Sequence, residues 1–292
     1  MPVNTSNATS TPSSLNKPEH IPVAVIESSH GWVSLGLKDV WEYRELLAFL
    51  IWREIQGIYR QTALGISWIF LRPIINMLLL SVVFGRLIQV PSDGLPYPLF
   101  SLSALLPWMF FSNAVMRASR SLVDNMHVIA KVYFPRLIIP MAGAMSGLVD
   151  FVASFIVFLV MMLIYRTPLR VEILWLPVFF IVAFAFSLAV GLWLATLSVK
   201  YRDVSFAVNF FLMALMYLSP VIYSVSIVPA PFSYIYQLNP MTGVIQGFRW
   251  ALLGSGDPPG LMFLVATGLV LVGLITGAFI FRRTERTVVD IL

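Results

Sequence analysis

Two charged residues inside long apolar segments are the first residues in this sequence whose chemistry needs an explanation. Arg72 lies in the apolar segment 66–88, and Asp150 lies in the apolar segment 140–165. Charges at such positions are costly in lipid and usually functional. For Asp150, three interpretations stay open: an ion pair with Arg72, a polar contact between helices, or a proton relay. A relay is disfavoured because one carboxylate makes a poor proton chain. Arg72 is near enough to the end of its segment to reach the headgroups.

The motifs of common catalytic and nucleotide-binding sites are absent from the sequence. It contains no Gly-x-x-x-x-Gly-Lys-Ser/Thr loop for nucleotide phosphates, no Gly-x-Ser-x-Gly and no His-Glu-x-x-His. The histidines, His20, His30 and His127, are far apart in sequence, and there is no cysteine to complete a zinc site. We therefore predict no catalytic residue, no metal site and no cofactor in this chain.

The composition is that of a protein embedded in a lipid bilayer. Hydrophobic residues make up 59% of the 292 residues and charged residues only 11%, with a mean hydropathy of +0.86. Soluble domains carry about 25% charged residues, so most of this surface must face membrane lipids. The net charge of +5 is more typical of basic cytoplasmic loops than of nucleic-acid binding in a membrane protein. We predict no nucleic-acid partner.

Six apolar segments recur, each near the ~20 residues that a spanning helix needs. They cover residues 66–88, 97–116, 140–165, 174–199, 205–223 and 261–281. Orientation follows from Lys and Arg, which are enriched in cytoplasmic loops. With the N-terminus inside, inner segments hold 14 of the 19 Lys and Arg residues, outer segments hold four, and Arg72 lies within a span. The sequence predicts an all-α polytopic membrane protein with both termini cytoplasmic.

The chain before the first span divides into two parts. Residues 1–40 are rich in Ser, Thr, Asn and Pro and lack the apolar core of a signal peptide, which predicts a disordered cytoplasmic tail. Residues 41–64 predict an amphipathic helix in the membrane interface, with Trp41 and Trp52 on its apolar side. A surface helix of a soluble domain is the weaker alternative, because the transmembrane domain, residues 65–292, follows with almost no linker.

The inner segment 117–139 is too long for a simple turn and too polar to span the membrane. Asp124 or Asn125 is a suitable N-cap for a short helix that ends before Pro135. Such a helix would either dock a soluble partner or serve as a solvated connector, and the residues alone do not favour one of these.

The outer segment 224–260 is also irregular. Asn239 followed by Pro240 predicts the start of a helix that runs to about Leu253. This helix is too short and too polar to cross the membrane. We interpret it as either an outer gate or an amphipathic brace that rests on the headgroups.

Aromatic rings are frequent in the predicted spans, and most should face lipid or form the belt at the headgroups. A minority are candidates for stacking on the apolar faces of sugars, as rings stack on bases. These candidates are Trp68, Phe70, Trp108, Phe110, Phe111, Phe210 and Tyr217.

Taken together, these features resemble the membrane subunits of type-2 ABC exporters, specifically those that export polysaccharides such as O-antigen, capsule and teichoic acid. The resemblance covers residues 40–292 and departs from the family in the polar extension before them. It rests on Arg53-Glu-Ile-Gln-Gly-Ile-Tyr-Arg-Gln-Thr-Ala-Leu-Gly-Ile-Ser-Trp, Arg72-Pro73, residues 125–135, Tyr201-Arg-Asp-Val, Leu238-Asn-Pro-Met-Thr, Phe248-Arg-Trp and Phe281-Arg-Arg-Thr-Glu-Arg. Each motif is weak alone, but the set in this order is specific.

The resemblance implies a transport subunit, not an enzyme, in the cytoplasmic membrane of a bacterium. It implies a homodimer of about twelve spans that works with two copies of a separate ATPase subunit, on which ATP and Mg²⁺ bind. It also implies that the substrate is a lipid-linked polysaccharide, which passes through a channel at the dimer interface.

The same resemblance implies roles for particular residues. The amphipathic helix would be the interface helix, and the loop around residues 124–134 would be the coupling helix that docks on the ATPase. The implied coupling residues are Arg53, Glu54, Asp124, Asn125, His127, Lys131 and Arg136. The implied outer gate comprises Asn239, Pro240 and Arg249, and the aromatic candidates would contact the glycan.

Two other functions stay open. One is a related exporter of a small drug or lipid, and the other is a membrane-embedded glycosyl or acyl transferase. A transferase would need acidic or His residues clustered near one membrane face. Asp124, His127, Asp203 and Asp290 are instead scattered among basic residues, with no motif that joins them.

Overall fold

A computed structural model of the chain describes residues 37–59, 64–129, 131 and 134–288, and within these residues the fold is all helical, without a β-strand. This confirms the predicted all-α fold. The helices are α1 Leu37–Glu42, α2 Arg44–Tyr59, α3 Trp68–Leu80, α4 Tyr97–Asp124, α5 Met126–Ile129, α6 Ile138–Ser146, α7 Leu148–Ile164, α8 Leu176–Lys200, α9 Val204–Tyr217, α10 Ala230–Gln237, α11 Pro240–Leu253 and α12 Leu261–Val288. A π-helical turn, Ser81–Leu87, continues α3.

Five helical runs are long and apolar enough to cross a membrane. They are Gly65–Leu87, Tyr97–Asp124, Ile138–Ile164, Val171–Lys200 and Leu261–Thr284. The predicted span 205–223 differs, because its helix α9 has only 14 residues. At 1.5 Å per residue such a helix covers about 21 Å, short of the ~30 Å hydrocarbon core. It ends three residues before Pro220, whose ring is incompatible with a continuing helix.

The helix α4 is the centre of the fold. It packs against α3, α6, α7, α8, α9 and α11. Its most extensive contact is with α8, where a β-carbon added at Gly191 would lie only 2.5 Å from the Cβ atom of Ala118. Small residues at such crossings let two backbones approach and gain dispersion contacts, which hold helices together where lipid removes the hydrophobic driving force.

The N-terminal helices pack beside this core. The helix α2 contacts α6, and Leu50 is buried at that contact. Asp39 of α1 and Arg282 of α12 form an ion pair of 3.6 Å. Trp41 and Trp52 are largely exposed, as expected of rings in a headgroup region. The predicted tail 1–40 lies outside the described residues except for 37–40, which begin α1, and residues 60–63 of the predicted interface helix also lie outside them.

The irregular segment after α9 forms two short helices. The predicted helix from Pro240 to about Leu253 is confirmed as α11, and the Asn239 side chain caps it by accepting a hydrogen bond of 3.1 Å from the Met241 N–H. Gly254 ends the helix with φ +68°, a left-handed conformation that glycine adopts without strain. The sequence did not predict α10. Most of α11 is buried against α4, α8 and α12, which disfavours the brace on the headgroups.

Candidate functional site

A polar contact joins α2 to the turn that follows α4. The Arg53 guanidinium donates a hydrogen bond to the Asn125 Oδ1 atom, and Glu54 Oε1 lies 3.8 Å from Arg53 Nη2. Asn125 is buried, and its Nδ2 atom donates to the Ser121 carbonyl at 2.9 Å. Three predicted coupling residues therefore lie together, and the side chain of Asn125 ties the end of α4 to α2.

The other predicted coupling residues lie around this contact. Asp124, His127 and Lys131 are exposed, while Arg136 is half-buried. The predicted short helix is the single turn α5, Met126–Ile129. Asn125 is the C-cap of α4 and also precedes α5 directly, where its carbonyl accepts from the Val128 and Ile129 N–H groups. Its side chain contacts Arg53 and the Ser121 carbonyl and does not cap α5. The exposed side chains of Asp124, His127 and Lys131 form a mixed-charge surface, here called the α5 surface.

The ion pair at Asp150 differs from the one considered from the sequence. Asp150 Oδ2 accepts a hydrogen bond of 2.9 Å from Arg117 Nη2, and Arg117 Nη1 donates to Ser146 Oγ at 2.7 Å. Pairing of Asp150 with Arg72 is therefore wrong, and the contact between helices α4, α6 and α7 is the interpretation that the geometry supports. Arg117 was missed because α4 continues to Asp124, through residues that the sequence analysis assigned to a loop.

Arg72 lies elsewhere, on the exposed side of α3. It lines a cavity of about 390 Å³ between α3, α4 and α9. Among the residues that the structure describes, none forms a hydrogen bond or an ion pair with its guanidinium. Of the two intramembrane charges considered from the sequence, Asp150 is paired with Arg117, whereas no described residue balances the charge of Arg72.

The aromatic candidates divide into two groups. Trp108, Phe110 and Phe111 are buried inside the chain, where Phe110 packs against Phe180 with ring centroids 4.6 Å apart. In this conformation the three rings pack within the chain, and Trp108 also lines the cavity beside Arg72. Their contact with a glycan stays a prediction.

The second group lies at the periphery of the fold. Phe70, Phe210 and Tyr217 are exposed on α3 and α9, and Trp68 is half-buried at the start of α3. The sequence could not separate the two groups, because both occur in equally apolar segments and only tertiary packing distinguishes core from periphery.

The predicted gate residues hold the segment between α9 and α10. Arg249 is buried, with its guanidinium carbon 3.6 Å from the centroid of the Phe100 ring. Its Nη1 and Nη2 atoms donate to the carbonyls of Tyr223 and Val221, each at 3.4 Å. Asn239 Nδ2 donates to the Leu218 carbonyl at 3.1 Å. These contacts attach the connecting segment to α4 and α11.

Burial lowers the pKa of Arg249 to about 9, and the nearby carboxylate of Asp93 partly opposes this change. Asp93 itself accepts hydrogen bonds from Ser224 Oγ at 2.6 Å and from Ser226 Oγ at 3.2 Å. The sequence analysis missed Asp93, because an isolated acidic residue in a turn carries no signal of its long-range partners. Arg249 is therefore a buried cation on α11 that contacts two backbone carbonyls and the Phe100 ring and is influenced by the Asp93 carboxylate.

Proteins similar to this chain are transport permeases. The O-antigen export system permease protein RfbA of Myxococcus xanthus is 29% identical over 85% of this chain and 96% of its own length. The inner membrane transport permease YadH of Escherichia coli K12 is 28% identical, over 85% of this chain and 93% of its own length. The polysialic acid transport protein KpsM of Escherichia coli is 22% identical, over 81% and 92%. With five helices able to span a membrane, these similarities place the chain in the cytoplasmic membrane of a bacterium.

The match to a protein family covers most of the described helices. The family model described as ABC-2 type transporter matches residues 45–253, from α2 through the end of α11. That range contains the Arg53–Asn125 contact, the Arg117–Asp150 pair and the Arg249 cluster. This chain belongs to the ABC-2 type transporter family.

Proposed function

We propose that this chain is the membrane-spanning subunit of an ATP-driven exporter of a lipid-linked polysaccharide. The observation that carries the proposal is similarity to an O-antigen export permease over nearly the whole length of that relative. The chain would act as a transport subunit without catalytic residues of its own. Two copies would form the passage, and two copies of an ATPase subunit would drive it.

The energy source in this proposal lies outside the chain. The sequence has no phosphate-binding loop, so ATP and Mg²⁺ would bind to the partner. The α5 surface is our candidate for the docking site, because it is exposed and lies beside the buried Arg53–Asn125 contact. A displacement of α5 by the ATPase would be transmitted through Asn125 to both α2 and α4.

We also propose six spans with both termini in the cytoplasm. In this arrangement α9 and the segment after it, which ends against Arg249, cross the membrane together as the fifth span. The charge distribution supports the orientation, with 14 Lys and Arg residues inside against four outside. The α5 surface then faces the cytoplasm, where an ATPase subunit would be found.

The passage would form where two copies meet. The exposed rings Phe70, Phe210 and Tyr217 lie on α3 and α9, which are the least enclosed apolar helices near α4. A sugar chain needs apolar ring faces for stacking and polar groups for its hydroxyls. The α11 helix, fixed by Arg249, would then stand beside the outer mouth as a gate.

The experiment that tests the function is capture of the tagged full-length chain from its native membranes in mild detergent, followed by mass spectrometry. We expect a stoichiometric partner that contains a phosphate-binding loop, and a membrane assembly with two copies of this chain. Absence of such a partner, even after crosslinking, would overturn the proposal.

The same capture experiment tests the docking site when two charge-reversal variants are compared. Reversing charge at the α5 surface with Lys131→Glu should weaken recovery of the ATPase. Arg86→Glu, at the other end of the first span, should leave recovery unchanged. Equal losses in the two variants would contradict docking at the α5 surface.

A further inference from the structure

The cavity that contains Arg72 has an unusual lining for a membrane-embedded surface. Its volume is about 390 Å³, and it lies between α3, α4 and α9. One part of its wall is polar, formed by Arg72, Asn76, Ser112 and Asn113. The other part is apolar, formed by Leu79, Leu80, Leu105, Trp108, Met109 and Met216. We call it the Arg72 cavity.

The charge in this cavity lies well inside the membrane-spanning part of the chain. Arg72 is seven residues after Gly65, where the helical run begins, so it lies about 10 Å along the helix axis. An arginine at such depth is costly unless it finds an anion or reaches water. The lining of the cavity contains no carboxylate among the described residues, so an anion beside Arg72 would be supplied by a ligand or by a lipid headgroup.

The polar neighbours of Arg72 also have unused hydrogen-bonding capacity. Asn76 Nδ2 contacts only a weak acceptor in the described part of the chain, the Met109 sulfur at 4.0 Å. The Asn113 side chain forms no hydrogen bond with any described residue. Ser112 donates to the Met109 carbonyl at 3.2 Å and keeps its oxygen lone pairs for an additional donor.

These features define the chemistry of a ligand. A guanidinium has a rigid fork of donors that matches the oxygens of a phosphate, and the two amides supply further donors. The apolar wall begins next to these groups, since Leu79 and Leu80 follow Asn76 on the same helix. The fitting ligand therefore carries a phosphate joined directly to a hydrocarbon chain.

We propose that the Arg72 cavity binds the phosphate of an amphiphile, and, resting on the proposed function, that this amphiphile is the lipid-phosphate end of the exported polysaccharide. The guanidinium holds the phosphate oxygens, Asn76 and Asn113 donate to them, and the hydrocarbon lies along the leucine wall. The glycan is then directed toward the exposed faces of α3 and α9. An ordinary phospholipid offers the same phosphate chemistry, so the test must separate the two sources.

The test measures binding of a fluorescent polyprenyl diphosphate to the full-length chain in phosphatidylcholine nanodiscs, without an ATPase. Competitors are the uncharged polyprenol, phosphatidylglycerol and inorganic pyrophosphate. The variants are Arg72→Ala, Arg72→Lys and Asn113→Leu. The matched control is Arg86→Ala, which removes an exposed arginine from the other end of the same helical run.

We expect Arg72→Ala to weaken binding by about ten-fold or more, because a charge-assisted contact is lost. Arg72→Lys should bind with intermediate affinity, since an ammonium lacks the planar fork. Arg86→Ala should match the unchanged chain. Unlabelled polyprenyl diphosphate should compete at least about ten-fold better than the other three compounds. Polyprenol lacks the phosphate, pyrophosphate lacks the hydrocarbon chain, and phosphatidylglycerol carries a single phosphate that glycerol separates from its chains.

Equal affinity of Arg72→Ala and the unchanged chain would overturn the site, and unchanged binding by Asn113→Leu would do the same should Arg72→Ala fail to fold. Equal competition by phosphatidylglycerol would overturn the assignment to the exported lipid and leave an ordinary headgroup contact. These outcomes are separate from failure of the proposed function, which is read from the missing ATPase in the capture experiment.

Discussion

The helices α3 and α4 are neighbours of similar apolar character, yet they occupy opposite environments. In the most apolar stretch of α4, 78% of residues are buried inside the chain, against 17% in the most apolar stretch of the helical run that contains α3. α4 contacts six other helices, whereas α3 contacts mainly α4 and α7. The comparison separates a helix that organises the subunit from one whose surface is left for lipid, substrate or a second copy.

The difference extends to the polar residues of the two helices. Arg117 of α4 has its charge balanced by Asp150 within the chain, while Arg72 of α3 lies at an open cavity. In a membrane an internal pair stabilises the fold, whereas an open charge is available for a ligand. Interior and peripheral polar groups therefore differ in what their removal should do.

The largest expected effect comes from aromatic truncation. Phe110→Ala on α4 removes a fully buried ring that packs against Phe180, and it should lower the free energy of unfolding by about 3–5 kcal/mol. Phe210→Ala on the exposed side of α9 should change it by less than about 0.5 kcal/mol while reducing glycan export. Denaturant unfolding in detergent and export in cells measure the two effects. Similar destabilisation by both changes would break the comparison.

The next effect concerns the two arginines. Asp150→Leu leaves Arg117 without its carboxylate and should cost about 2–4 kcal/mol of stability, whereas the double change with Arg117→Met should recover most of that loss. Arg72→Leu should leave stability nearly unchanged. Thermal unfolding of the unchanged chain and of these three variants measures this order of stabilities.

Export by the same double variant also tests the remaining interpretation of Asp150. If the Arg117–Asp150 pair has only a structural role, the stable double variant should export glycan. Loss of export from a stable double variant would instead favour a proton relay at Asp150.

A smaller effect is expected from two glycines. Gly191 lies at the α4–α8 crossing, where Gly191→Leu would collide with Ala118 and should cost about 1–3 kcal/mol. Gly268 of α12 has open space around its α-carbon, with no heavy atom within 4 Å of an added β-carbon. Gly268→Leu should therefore retain the melting temperature of the unchanged chain, unless a second copy packs against that face.

The sequence predicted helix positions well where hydrophobic length alone decides them. Five apolar segments and α11 were found, because a spanning helix needs about 20 apolar residues and because Asn239-Pro240 is a local start signal. The end of α4 was placed near Met116 instead of Asp124. Arg117 and Arg120 look like loop residues until the structure shows Arg117 beside Asp150 and Arg120 beside the Ser205 carbonyl.

The candidate site was only partly predictable from the sequence. Arg53, Glu54 and Asn125 were chosen through family motifs, and the structure brings them together over 72 residues of sequence for Arg53 and Asn125. The partner of Asp150, and the burial of Phe110, depend on which helices pack side by side. Such long-range choices are not encoded in the periodicity of any one segment.

The smallest effect on stability is expected where the interior meets the periphery, at the Arg53–Asn125 contact between α2 and the end of α4. Arg53→Ala or Asn125→Ala should lower the free energy of unfolding by only about 1 kcal/mol. Either change should still reduce stimulation of the captured ATPase by substrate, because α5 is then no longer tied to α2. ATP hydrolysis by the reconstituted complex measures this loss.

Combining the two changes decides whether the residues act through each other. Since both side chains serve one hydrogen bond, the double variant should be no worse than the more affected single variant. Additive losses would mean that Arg53 and Asn125 contact the partner independently. In that case the core helix α4 and the peripheral helix α2 would receive the signal separately, and the division between interior and periphery would extend to the coupling itself.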